Sequence, residues 1–96
     1  NLDEKLPNIF GNPKMTDLKD LFEEIYLSKF NFEEITDFYY LKSGRWDIKT
    51  NKDVVVKLPN NNILDYLNLA KKIIDSKEIL IKNIINLTVK NQIIIN

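Results

Sequence analysis

The chain has 96 residues, 44% hydrophobic and 29% charged, the composition of one folded domain with a modest core rather than a disordered tail. Fourteen basic and fourteen acidic residues cancel to zero formal charge, which argues against nucleic-acid binding and its usual basic excess. Cys and His are both absent, removing disulfides, thiolate chemistry, the commonest metal ligands and the commonest general base.

Residues 1–12 read as a lead-in segment, punctuated by Pro7 and Gly11 and without apolar periodicity. Asn12 and Pro13 suit a helix start, with Asn as cap and Pro at the first helical position, where its missing N–H costs nothing. Met15, Leu18, Phe22 and Ile25, with Leu21 beside them, make one apolar face, so a helix is expected from about Pro13 to Leu27. The next stretch, "FEEITDFYYLKS", is rich in β-branched and aromatic residues and suits a strand. Ile35, Asp37, Tyr39 and Leu41 alternate there with Thr36, Phe38, Tyr40 and Lys42.

Ser43-Gly44 predicts a two-residue turn. "RWDIKT" and "DVVVKL", linked by Asn51-Lys52, continue as a meander that Pro59 ends. Trp46 and Ile48 share one face of their strand, and Val54, Val56 and Leu58 share one face of the next. These five are the expected core of the sheet. Trp46 reads as its pin, with an exposed aromatic anchor as the other reading. Arg45 and Asp47 share the opposite face, where an exposed ion pair would contribute under about 1 kcal/mol.

Asn60, Asn61 and Asn62 offer caps for a second helix. Its stripe is Ile63, Leu67, Ala70 and Ile74, widened by Leu64, Tyr66 and Ile73, and it should end near Ser76. A strand over Ile84 to Val89, a turn at Lys90-Asn91 and a last strand over Gln92 to Ile95 complete the chain. The expectation is an α+β fold of order α-β-β-β-α-β-β, a mostly antiparallel sheet with two helices packed on one face.

Catalytic groups are scarce. Glu23-Glu24 and Glu33-Glu34 are close in sequence, but adjacent residues do not share a helix face and point oppositely on a strand. Two glycines cannot build a Gly-rich phosphate loop, and Ser28, Ser43 and Ser76 read as turn or cap residues. Lys71, Lys72 and the scattered lysines read as solvated surface. The residues predict no enzyme, no cofactor, no metal, no small-molecule substrate and no nucleic acid. A carboxylate-dependent hydrolase using those four glutamates is the rival from another class.

The C-terminus is more informative. Gln92 to Ile95 contains Ile93, Ile94 and Ile95 in succession and no charge. If Ile93 and Ile95 face the helices, Ile94 must be covered by something else. A final strand is often an edge, and an uncharged, β-branched edge is poorly protected against pairing with another strand. Either this strand is central, or pairing is its purpose.

Taken in order, "LPNIFGN" at 6–12, an amphipathic helix, "GRWDIKTNKDVVVKLP" at 44–59, a second helix and "IINLTVKNQIIIN" at 84–96 resemble the β-domain of the bacterial cell-division family FtsQ, called DivIB in Gram-positive bacteria. The flavour is α-proteobacterial, and the resemblance spans residues 13–96 with the lead-in before them. Arg45-Trp46-Asp47-Ile48, about ten residues before Leu58-Pro59, is its best single piece. Two departures stand out. The usual Asn-Gly of the hairpin is Asn51-Lys52, and the usual Asp-Leu-Arg is Asn86-Leu87-Thr88, which loses both charges.

The resemblance implies a non-catalytic scaffold of the divisome that supports septum formation. It implies a single-pass inner-membrane protein whose periplasmic part is a POTRA domain followed by this β-domain. The chain opens on Asn1 rather than Met and has no run near the roughly 18 apolar residues of a spanning helix, so anchor and POTRA domain are expected upstream. The implied partners are FtsB and FtsL, with an FtsB segment adding a strand to the last strand. Carried onto this chain, that contact falls on Val89, Lys90, Asn91, Gln92, Ile93, Ile94 and Ile95. Val89 stands where some relatives have a contacting Tyr. A POTRA-like module that binds or transports polypeptides by the same strand addition is the alternative.

Overall fold

The structure is a computed structural model that describes residues 7–76, 84–90 and 92–95. Among these, six strands form one sheet in the order β1-β2-β3-β4-β5-β6. The strands are β1 (Asn8–Phe10), β2 (Ile35–Tyr40), β3 (Trp46–Thr50), β4 (Val55–Lys57), β5 (Ile84–Asn86) and β6 (Ile94–Ile95). Helix α1 (Met15–Leu27) follows β1, and α2 (Ile63–Asp75) follows β4. The fold is α+β, as expected, but the sheet is mixed. β2-β3, β3-β4 and β5-β6 pair antiparallel, whereas β1-β2 and β4-β5 pair parallel.

The expected lead-in therefore contains a strand. Asn8, Ile9 and Phe10 lie beside Asp37, Phe38 and Tyr39. A three-residue strand with a partner far along the chain leaves no periodicity to read. Gly11 turns the chain out of β1 at φ +98°, and a Cβ there would fall 2.4 Å from the Tyr40 carbonyl oxygen, so only Gly fits.

The two parallel pairings make two strand–helix–strand units, β1-α1-β2 and β4-α2-β5. Both connect neighbouring strands and step across the sheet in the same direction. Such crossovers are right-handed almost without exception, so both helices fall on one face. There α1 and α2 touch each other and close one core.

That core is a ladder. Phe38, Ile48, Val56 and Ile85 stand in register across β2 to β5, each 0–2% exposed. Trp46, Val54 and Leu58 are buried on the same side with Leu21, Ile25, Leu67, Ala70, Ile73 and Ile74 of the helices. Trp46 packs edge-on to Phe38 at 6.3 Å between centroids and tilted against Tyr40 at 4.8 Å.

Several local details differ from the sequence reading for identifiable reasons. Helix α1 starts at Met15 with Lys14 in the cap position and no side-chain cap, so Asn12 and Pro13 precede the helix. Phe32–Glu34 is a 3-10 turn whose Asn31 N–H donates to Glu34 Oε1 at 2.8 Å, leaving β2 to begin at Ile35. The ladder then skips a residue, pairing Ile35 with Thr50 and Asp37 with Lys49. This bulge at Thr36 puts Ile35 on the core side with Phe38, instead of on the Asp37 face.

Both hairpin loops are three residues long. In the first, Leu41 N–H donates to Arg45 O and Gly44 N–H to Leu41 O, both at 2.9 Å, with Gly44 at φ +85°. In the second, Thr50 N–H donates to Val54 O at 2.9 Å and Asp53 N–H to Thr50 O at 3.0 Å, with Asp53 at φ +60°. A type I turn followed by a left-handed residue is the usual three-residue hairpin. The departure at Asn51-Lys52 is thus a longer loop that places Asp53 where Gly is easiest.

The helices are tied down by polar contacts at their margins. Tyr40 Oη donates to Asp17 Oδ2 at 2.6 Å, and the Lys29 N–H donates to Asn68 Oδ1 at 2.7 Å, linking the end of α1 to α2. Lys71 of α2 pairs with Glu34 and, at 3.3 Å, with Asp75.

Two stability measurements follow. Trp46→Ala should cost about 3–5 kcal/mol by chemical denaturation, and a loss below about 1 kcal/mol would contradict its role as core pin. Asp53→Gly should stabilise the chain by roughly 0.5–1 kcal/mol, because it relieves the left-handed strain and gives up only an exposed Lys49–Asp53 contact at 3.9 Å.

Candidate functional site

The β-sheet ends at β6, which is paired with β5 alone among the described strands. Its local structure is built by Asn86, whose side-chain Oδ1 accepts from the Thr88 N–H at 2.9 Å and from Thr88 Oγ1 at 2.6 Å. That side-chain turn stops β5 at Asn86, short of the expected Val89. The Gln92 N–H then donates to Val89 O at 3.0 Å, and Lys90 lies in a turn. Ile94 lies opposite Asn86 and Ile95 opposite Ile85. The final strand is therefore two residues, not the four expected.

Side-chain placement splits this segment. Ile95 continues the core ladder and packs partly buried against it. Ile94 points to the other face, half-buried beside Asn86. Ile93 is 49% exposed and Val89 40% exposed, so the helices do not cover Ile93. Lys90 and Gln92 are exposed, and Asn91 lies outside the described residues. Such an exposed apolar pair next to a strand edge, with no charge from Gln92 to Ile95, is the arrangement that strand addition uses.

The other edge is different in kind. β1 is preceded by Pro7 and closed by Gly11, and its Phe10 ring stacks on Tyr39 at 5.0 Å between centroids. Pro at an edge hinders pairing with a further strand. Of the two edges, β6 is the less protected.

The carboxylates do not assemble. Glu23 and Glu33 are exposed, Glu24 is half-exposed on α1, and Glu34 is held by Lys71. No group of three or more metal-ligating side chains occurs among the described residues. The described part of the chain also has no helix long and apolar enough to cross a membrane.

The sheet face away from the helices carries a second ladder, Phe10, Tyr39, Asp47, Lys57, Asn86 and Ile94 in register. The Arg45–Asp47 pair sits in it and is less exposed than expected, with side chains 23% and 13% accessible. Arg45 Nη1 and Asp47 Oδ1 meet at 3.0 Å, but without hydrogen-bonding geometry, and neither atom has another partner. Burial pushes the Asp47 carboxyl above its ordinary value near 3.8, while Arg45 and Lys57 pull the other way. The folded chain holds this proton more tightly than the unfolded chain does. Asp47 therefore lowers stability as pH rises through the window above 3.8, and acidification relieves that cost.

Sequence reasoning missed one surface. Met15, placed on the core face of α1, is 79% exposed, and Tyr26 and Leu27 are 87% and 65% exposed. The signal was present in the spacing: Met15, Phe22 and Tyr26 form a stripe rotated away from Leu21 and Ile25. Comparison with protein-family models and with curated proteins finds no match to this chain.

Arg45→Met removes the guanidinium that opposes burial at Asp47. The Asp47 carboxyl should then titrate at higher pH, followed by its carboxyl ¹³C shift, and Arg45→Lys should restore part of the difference. An unchanged or lower titration would mean the guanidinium does not act on this group.

Proposed function

We propose that this chain is a protein-interaction domain that binds an extended partner segment along β6. It would be the periplasmic β-domain of an FtsQ/DivIB-type division protein, a scaffold without catalytic activity. The partner strand would come from FtsB in an FtsB–FtsL complex, and an upstream POTRA domain and membrane anchor would fix it to the inner membrane. The observation that carries the reading is an uncharged, β-branched strand at the end of the sheet, beside exposed Ile93 and Val89. The order of the "LPNIFGN", "RWDI", "KLP" and "NQIIIN" segments supports the family.

The energetics set what else the partner must bring. A strand laid along residues 92–95 gains about four backbone hydrogen bonds at ~0.5–1.5 kcal/mol net each. Ordering that segment offsets much of this gain. Apolar partner side chains seated on Ile93, Val89 and Ile94 must therefore supply the remainder. A charge placed among them would remove that contribution.

Ile94→Pro deletes the N–H that pairs β6 with Asn86 of β5 and so breaks up the edge strand itself, and Ile93→Asp places a charge on the exposed approach. Either should reduce FtsB–FtsL binding in calorimetric titration to below detection, with the thermal unfolding of Ile93→Asp near that of the parent. Unchanged affinity in both variants would sink the edge-strand mechanism. Capture of many unrelated extended peptides, rather than one segment, would favour the polypeptide-transport alternative.

A further inference from the structure

Helix α1 has more apolar surface than its core contact uses. Leu21 and Ile25 are buried against the sheet side, with Leu18 and Phe22 partly buried beside them. Met15, Tyr26 and Leu27 lie largely exposed at the two ends of the same helix, and Phe32 is 40% exposed nearby. Phe32 meets the Phe22 ring edge-on at 5.1 Å between centroids. These helical side chains, with Lys19 and Glu23 along one margin, line an open apolar groove of about 820 Å³.

We propose that this face of α1 is a homodimer interface, in which two copies pack their α1 helices antiparallel about a two-fold axis. The charge pattern selects that occupant. Lys19 and Glu23 stand one turn apart on the same margin of the stripe. With the axis midway between them, each Lys19 lies against the second copy's Glu23, twice over. The same operation sets Met15 against the second copy's Tyr26 and Leu27, and Leu18 against its Phe22. A parallel two-fold arrangement would leave the two Lys19–Glu23 margins on opposite sides of the contact, where they could not pair. Isologous interfaces need this self-complementarity, and here one helix carries both halves of it.

Size sets the strength. A whole aromatic side chain buries about 150–250 Å², so the exposed parts of Met15, Tyr26, Leu27 and Phe32 with the outer edges of Leu18 and Phe22 amount to roughly 500 Å² per copy. Two copies then bury about 1,000 Å², the lower bound for a specific interface. The dimer is accordingly weak, in exchange with monomer, and independent of whether β6 has bound its strand.

Sedimentation velocity of the 96-residue chain from low to high micromolar concentration tests this. The parent should move from monomer to dimer, and Tyr26→Ser should stay monomeric. Lys19→Glu and Glu23→Lys alone should each weaken the dimer by about tenfold or more, since two attractive contacts become repulsive. Mixing those two variants, or combining them in one chain, should restore the parent behaviour. A chain that stays monomeric throughout would overturn the proposal, as would charge reversals that neither weaken nor rescue association. A dimer that survives Tyr26→Ser but is lost with Ile94→Pro would put self-association on the β6 edge, and would overturn it as well.

Discussion

The ladder Phe38–Ile48–Val56–Ile85 is the constraint on which the rest of this structure rests. One residue from each of four neighbouring strands meets the helices at full burial, and each is held in place by its register partner on either side. A slip of one residue would turn Phe38 or Val56 to the opposite face and bring Tyr39 or Lys57 into the core, so the register is strongly specified. The ladder also explains the edges. It continues outward to Ile9 on β1, 41% exposed, and to Ile95 on β6, only partly buried. The helices cover the middle of the row and fall short of its ends.

What could be read in the residues follows from this arrangement. Both helices show because a one-sided core demands a stripe at every turn, and the alternating Trp46–Ile48 and Val54–Val56–Leu58 sides show because the central strands have one helix-facing side. Elements whose existence depends on a distant partner do not show. Asn8–Phe10 becomes a strand only because β2 lies alongside it, and β5 is parallel to β4 only because α2 carries the chain back. Local hydrogen bonds also overrode pattern. The Asn86 carboxamide ends β5 two residues into an apolar run, and the Thr36 bulge breaks an alternation that the bare sequence displays. The C-terminal edge was legible as an uncharged isoleucine run. Its length was not, since the turn that precedes it consumes Gln92 and leaves Ile93 outside the ladder.

The shortness of β6 bears on how such an edge stays soluble. A long, flat apolar edge is an aggregation hazard, and a short one preceded by a tight turn limits how many outward backbone groups an arbitrary strand can engage. Two paired residues give little affinity by backbone alone, so a stable partner must also match the apolar side chains flanking the strand. Under the proposed strand addition, selectivity would reside in Val89, Ile93 and Ile94 rather than in the hydrogen bonds, which any extended chain could make.

The position of β6 relative to α1 decides whether the two surfaces compete. α1 bridges β1 and β2 at one end of the sheet, whereas β6 closes the other end beyond β5. Three strands, β3 to β5, stand between them. A copy docked on α1 therefore leaves both β6 edges open, facing away from the dimer contact. Two such edges on one particle convert a weak strand interaction into a bivalent one wherever partner segments are themselves paired or crowded, since the second contact forms at an effective concentration set by the spacing of the edges. The low backbone affinity of a two-residue edge and the weak contact of one helix face are thus compatible with firm association on a paired or crowded partner, which links two contacts that are otherwise independent.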